Sequence, residues 1–330
     1  MSRIVVVGAA NWDRTWRLPA LPEPGTTVLG EFAGDGPGGK GLNMSVAVAR
    51  LGGEVALVAR LGDDDAGAAL RRLLESEGVE LAGVTATTGP SGQAAIWLAA
   101  GEATIAVAPG ANATLDADTA TTALAVCGEG CELIILQAES GDASLAAAGA
   151  WARGRRAGAP LPAGRRPGPQ LMLSPAPARE LPEAVWTASD VVVCNRAEAA
   201  FHSGMAVADP LEAEDAAIAL CARGPQTAVV TLGGDGSVVA RRDRATYLPP
   251  FSVEVIDPTG AGDCFCAAFA YASLEGFDAF ASAGWAMAAS AVCVGRMGAA
   301  AAMPTRDEVE RVAHSVDLRR DPGMMPAEFS

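Results

Sequence analysis

Lysine is nearly missing from this 330-residue chain: Lys and Arg together number 24, and Lys40 is the only lysine among them. A chain that uses guanidinium everywhere else keeps an ammonium at one point, inside a glycine-rich stretch. Lysine offers a compact charge and three rotatable donors, suited to gripping hydroxyls or steadying a phosphate. The alternative, a solvated surface side chain, is disfavoured by the glycines around it. Positive charge is scarce overall, with a net charge of -15 and a pI of about 4.6. That balance argues against a nucleic-acid partner. No charge-free apolar run of about 18 residues is present, so no membrane-spanning helix is expected. Met1-Ser2-Arg3 leads straight into a strand-like run, without the pattern of a signal peptide. The seven cysteines show no zinc or redox spacing: three residues separate Cys127 from Cys131, and one separates Cys264 from Cys266. Their apolar neighbours make them small core residues rather than disulfides, which suits a reducing cytoplasm.

What is present is concentrated in two glycine motifs. Asp257-Pro258-Thr259-Gly260-Ala261-Gly262-Asp263 runs directly into the apolar Cys264-Phe265-Cys266-Ala267-Ala268-Phe269. Small residues before a buried helix let successive N–H groups converge at its positive end, a place that binds anions, phosphate above all. Asp263 stands at the same spot, where it would repel phosphate unless it had work to do. A base beside an anion cradle is what phosphoryl transfer to a hydroxyl requires. The plainer reading is that Asp263 and its glycines only cap a helix.

The second motif is Gly36-Pro37-Gly38-Gly39-Lys40-Gly41-Leu42-Asn43, which opens a helical stretch. Gly34 to Lys40 fits the phosphate-loop spacing, but that loop places Ser or Thr next for Mg²⁺, and Gly41 stands there. Gly36, Gly38 and Gly41 fit the dinucleotide fingerprint, but they do not follow the first strand, Ile4–Val7, and Glu54 falls too early for its acidic residue. Both matches are accidental.

Strand-like runs (Ile4–Val7, Val55–Ala59, Leu133–Leu136, Leu171–Leu173, Val191–Cys194 and Ala228–Thr231) alternate with helical stretches (Asn43–Leu51, Ala66–Glu77, Leu211–Ala222, Asp263–Leu274 and Ala279–Val294). The alternation predicts one α/β domain, three layers deep, around a mostly parallel sheet. Residues 12–37 and 92–109 break the rhythm as short extended pieces. Residues 154–169, rich in Gly, Pro and Arg, read as an exposed loop, and residues 318–330 as a loose tail.

The segments Gly38–Gly52 and Asp257–Phe269 resemble, in content, order and separation, the two signature motifs of the ribokinase-like (pfkB-type) carbohydrate kinases. Pro175-Ala176-Pro177-Ala178-Arg179-Glu180-Leu181-Pro182 and Pro109-Gly110-Ala111-Asn112-Ala113 are similar to the ribokinase branch of that family. The resemblance implies a small β-sheet lid, built from the two irregular segments, that covers a sugar site and joins two copies into a homodimer. It implies ATP and a sugar as the small-molecule partners, with Asp263 as the base and the N–H groups of Gly260, Ala261, Gly262 and Asp263 as the anion hole. An ordinary carboxylate pKa suffices for such a base, because the hydroxyl loses its proton late in a loose transition state.

By the same resemblance Asn11, Asp13, Gly39, Lys40, Asn43 and Glu139 would bind sugar hydroxyls, and Thr231, Gly233 and Gly236 would border the nucleotide. Asn195 and Glu198 would organise Mg²⁺, partly through water. Read without it, Asp13 is a turn residue, Glu139 a helix cap, and Asn195 and Glu198 a strand-end turn with a helix-start carboxylate. Asp257 and carbonyls at Thr259, Cys293, Arg296 and Gly298 would match a K⁺ site, although Ala299–Ala302 lack the hydroxyl that often completes it. Trp12, between Asn11 and Asp13, either reshapes the sugar pocket or points into the core, and Trp97 raises the same question. The expected activity is phosphorylation of D-ribose to ribose 5-phosphate. The alternatives are fructose, a deoxy sugar acid or a nucleoside as acceptor, the last using Trp12, Trp16 and Trp97 as a base slot. More distant is a non-catalytic sugar- or nucleotide-binding protein.

Overall fold

A computed structural model describes residues 3–99, 102–156, 168–242 and 244–315. Thirteen strands are present among them: β1 (Arg3–Val7), β2 (Asn11–Leu18), β3 (Glu31–Gly38), β4 (Glu54–Gly62), β5 (Val84–Thr87), β6 (Gly92–Ala99), β7 (Glu102–Ala108), β8 (Leu133–Gln137), β9 (Gln170–Ser174), β10 (Val191–Asn195), β11 (Thr227–Thr231), β12 (Ser237–Arg241) and β13 (Arg244–Leu248). The helices are α1 (Lys40–Arg50), α2 (Asp65–Ser76), α3 (Ala117–Cys127), α4 (Asp142–Arg156), α5 (Glu183–Ala188), α6 (Arg196–Ser203), α7 (Pro210–Cys221), α8 (Ala261–Leu274), α9 (Ala279–Val294) and α10 (Arg306–Ser315).

Nine strands form one sheet in the order β13-β12-β11-β10-β9-β8-β1-β4-β5. All neighbours are parallel except the antiparallel pairs β11–β12 and β12–β13. Apolar runs such as Ile4-Val5-Val6-Val7 form its centre because both faces are covered. Ile4 and Val6 point into a core shared with Leu42, Val46, Phe265 and Phe269, while Val5 and Val7 point into one shared with Leu124, Leu145, Trp186 and Leu220. The three-layer α/β/α architecture follows from that alternation.

The second sheet has the order β3-β2-β6-β7. Its middle pair β2–β6 is parallel and its outer pairs are antiparallel. The chain crosses between the sheets at Gly8–Ala10, Gly38–Gly39, Ser91–Gly92 and Pro109–Gly110.

Several boundaries differ from the sequence reading, three of them for a plain local reason. Helix α1 starts at Lys40, not Asn43, because Gly39 turns the chain at φ 89° and Gly41 packs on the backbone of Gly8. Helix α8 starts at Ala261, not Asp263, with Gly260 left-handed at φ 79° before it. Gly154–Arg156, read as loop, continue α4, where Arg156 ties the helix end to the Asp190 carboxylate and the Pro169 carbonyl. Residues 157–167 of that loop and the tail after 315 lie outside the described residues. No helix among the described residues is long and apolar enough to cross a membrane. All seven cysteines are free thiols.

Candidate active site

The cleft lies at the carboxyl ends of the central strands, where α1 and α8 begin. Asp263 is the third residue of α8 and is 6% exposed. Its Oδ2 accepts a hydrogen bond from Asn43 Nδ2 at 2.8 Å, across 220 residues of chain. Its Oδ1 lies 3.9 Å from Lys40 Nζ. Burial raises its carboxyl above the ordinary value, and Lys40 and Asn43 pull it back. This revises the expectation of an ordinary carboxylate pKa.

Of the four N–H groups expected to bind an anion, that of Ala261 donates to the Pro258 carbonyl at 3.2 Å. The N–H groups of Gly260, Gly262 and Asp263 have no partner among the described residues, as is usual in the first turn of a helix. A side chain at Gly260 would be strained: its Cβ would lie 3.1–3.2 Å from Ala299 and Met303, at a left-handed φ of 79° that favours glycine.

Lys40 opens α1, and its backbone N–H donates to Glu139 Oε2 at 3.1 Å. Glu139 is therefore a cap, but of α1 rather than of its own helix. Asp13 packs on Gly38, where a Cβ would fall 2.0 Å from Asp13 Oδ2. Burial first, then the charges of Glu139 and Asp263, push the Asp13 carboxyl up to about 7. Glu139 is also raised, mainly by burial, and Lys40 is raised by Asp263. The ammonium of Lys40 thus acts on four carboxylates, Asp13, Glu139, Asp263 and Glu198. Asp13 Oδ1 and Asn43 Oδ1 are buried without a hydrogen-bond partner. Buried acceptors left open in this way call for donors such as hydroxyl groups.

Strand pairing decides where the tryptophans point. Asp13 pairs with Ala94, and Ala94 with Val107, on one face of the small sheet. Trp12 pairs with Gln93, and Trp16 with Trp97, on the other. Trp12 packs against the core and donates Nε1–H to Asp35 at 3.0 Å. The three tryptophans considered as a base slot therefore share the face away from Asp13.

Two cavities meet at the start of α8. One of about 220 Å³ is lined by Lys40, Asn195, Glu198, Gly260, Gly262 and Asp263 among others. A larger, more apolar one of about 320 Å³ is walled by Phe251, Val253, Val255, Phe265, Met287 and Val294. Thr231, Pro258 and Gly262 line both, so the two form one continuous trough. Thr231, Gly233 and Gly236 all lie along the apolar part.

Asn195 caps α6 and Glu198 closes the reciprocal bond, so both plain readings of this pair are realised. Both nonetheless face the cavity, and burial raises the Glu198 carboxyl. The Asp257 carboxylate accepts from the N–H groups of Thr259 and Gly298. The Cys293 carbonyl, expected in the cation site, already accepts from Gly295 and Arg296. Sequence reasoning gave no role to Asn112, which binds Asn11, or to Arg179, which grips the turn carrying Glu139. Each sits in a motif whose presence was legible, but the contacts are distant in sequence.

Residues 1–306 match the pfkB family carbohydrate kinase profile. The chain is 33% identical over 315 residues to a ribokinase of Bacillus subtilis, covering 94% of this chain and 99% of that protein. It is 31% identical over 308 residues to a ribokinase of Haemophilus influenzae, covering 92% and 96%. Among solved structures it superposes on Arabidopsis thaliana ribokinase complexed with ribose and ATP at a TM-score of 0.80, with 26% identity and coverage of 95% and 99%. With a match running nearly end to end and both glycine motifs meeting at Asp263, the chain belongs to the pfkB family of carbohydrate kinases, enzymes that transfer phosphate to an alcohol group of a sugar.

Proposed function

We propose that the protein transfers the γ-phosphoryl group of ATP to D-ribose, giving ribose 5-phosphate. The observation that carries this reading is the position of Asp263, a buried carboxylate between three unpartnered N–H groups and the open acceptors of Asp13 and Asn43. The ribokinase names of the relatives support ribose as the acceptor. The position of Trp12, Trp16 and Trp97 away from Asp13 counts against a nucleoside.

In this reading Asp13 and Asn43 accept hydrogen bonds from sugar hydroxyls, and Lys40 donates. Asp263 accepts the proton of the attacking hydroxyl, and its raised pKa brings it closer to a balanced transfer. The N–H groups of Gly260, Gly262 and Asp263 hold the oxygens of the transferring group. The nucleoside lies along Phe251, Val253 and Met287, with its phosphates running past Thr231 toward Gly262.

The Asn195–Glu198 pair fits Mg²⁺ held through water: its side-chain oxygens accept the hydrogen bonds of the reciprocal cap, Glu198 is buried in the same cavity, and a sparse protein shell completed by water is what this ion favours. Bound there, Mg²⁺ neutralises charge on the phosphates. The loop at Asp257 fits a monovalent cation less well, since the Cys293 carbonyl is already engaged, and no step depends on one.

The test is ADP release with Mg-ATP across ribose, fructose, 2-deoxyribose, 2-keto-3-deoxygluconate and adenosine, with and without K⁺. Preference for ribose is the expected outcome, and preference for another acceptor overturns the ribose assignment. Asp263→Asn is expected to lower kcat by about 10²–10⁴-fold while sugar affinity stays nearly unchanged. Unchanged turnover would remove Asp263 as the base.

A further inference from the structure

Three of the four chain crossings between the sheets meet at the side chain of Asn112. It follows the exit from β7, in a tight turn at Gly110–Thr114, and is 4% exposed. Its Oδ1 accepts from the Ala10 N–H at 3.2 Å. Its Nδ2 donates to the Ala10 carbonyl at 3.2 Å and to Asn11 Oδ1 at 2.8 Å. The third crossing, at Gly92, packs on both amides: a Cβ there would lie 2.1 Å from Asn112 Nδ2 and 2.2 Å from Asn11 Oδ1.

This arrangement settles a polarity. A side-chain amide has a donor end and an acceptor end, and its orientation is fixed by its partners. Asn112 spends both of its N–H donors, one on Asn11 Oδ1. The acceptor end of Asn11 is thereby turned toward Asn112, and its Nδ2 is left without a partner among the described residues. Two residues on, Asp13 can only accept when ionised. A sugar hydroxyl between the two would accept from Asn11 and donate to Asp13, the paired pattern that polyol recognition requires.

We propose that Asn112 is a positioning residue for sugar recognition, holding Asn11 with its amino group toward the sugar. It touches no substrate itself. The inference rests on the sugar-kinase reading of the site, not on ribose in particular.

Asn112→Asp replaces the donor with an acceptor in nearly the same volume. Asn11 must then turn over to donate to the new carboxylate, presenting its oxygen beside Asp13, where a hydroxyl finds two acceptors and no donor. The expected result is a sugar KM raised about tenfold or more, with kcat and the KM for Mg-ATP within about twofold of the parent. Asn112→Ser, which keeps one donor and buries no charge, should give a smaller rise and serves if Asn112→Asp does not fold.

Deoxy sugars lacking one hydroxyl at a time supply a readout that a merely structural role would not move. Removing the hydroxyl held by Asn11 should weaken binding to the parent and add little to either variant. The inference is overturned if the sugar KM of both variants equals that of the parent, if both KM values and kcat deteriorate together, or if every deoxy penalty persists in full. Failure of the parent on ribose alone would instead strike the ribose assignment, and the comparison is then made on the acceptor it does use.

Discussion

At the scale of single residues, the site is governed by an excess of buried negative charge. Asp13, Glu139, Asp263 and Glu198 share the ammonium of Lys40, and Asp13 bears the largest consequence, with a pKa of about 7 against 3.8 for the free group. A carboxyl that binds its proton more tightly when folded stabilises the fold below the unfolded value and loses that contribution as pH rises through about 7. Asp13→Asn is therefore expected to raise the thermal midpoint more near pH 8 than near pH 5, while raising the sugar KM. In the parent, the sugar KM should fall as pH rises through about 7 and Asp13 becomes a full acceptor. Thermal scans and sugar saturation curves across that range check both signs. Asp263 and Lys40 were legible because glycines mark a backbone that must approach a ligand, a local signal, whereas Asn43 entered only through the family resemblance. The string around Asn112 was legible, but not the part proposed for its side chain, since its partners Ala10 and Asn11 are a hundred residues away.

At the scale of elements, short turns between strand ends and helix starts hold the chemistry. Arg179 donates to the carbonyls of Ala138 and Ser140 at 2.9 and 2.7 Å, on either side of Glu139, and pairs with Asp142. Glu139 in turn caps the first N–H of α1. Arg179→Ala should cost about 1–3 kcal/mol in a urea titration and raise the sugar KM. Arg179→Lys should recover only part of either, because an ammonium cannot fork across two carbonyls. The parallel strands were readable because strands buried on both faces leave unbroken apolar runs such as Ile4–Val7 and Leu133–Leu136. The antiparallel pair β12–β13 and the Ala- and Thr-rich α3 escaped, being short or lacking an apolar stripe distinct from the alanine background. The tryptophans show a subtler limit: their number was plain, but only the register of β2 against β6 reveals that Trp12, Trp16 and Trp97 share the face away from Asp13.

At the scale of the whole molecule, the small sheet leaves one side unfinished. Ile105 and Val107 are 54% and 47% exposed, and they pair with Ile96 and Ala94 on the face that carries Asp13. We expect a second copy to cover this face, giving a homodimer by light scattering, with Ile105→Glu shifting the population toward monomer. A mass unaffected by protein concentration and by this substitution would exclude that arrangement. The same molecule carries one lysine, and that lysine stands in the cleft beside Asp263. Acylating dyes, amine cross-linkers and carboxylate-activated supports usually decorate a protein at many harmless places. Here the only lysine is held protonated and half-buried against Asp263, so lysine-directed reagents find no ordinary surface amine on a lysine side chain to modify.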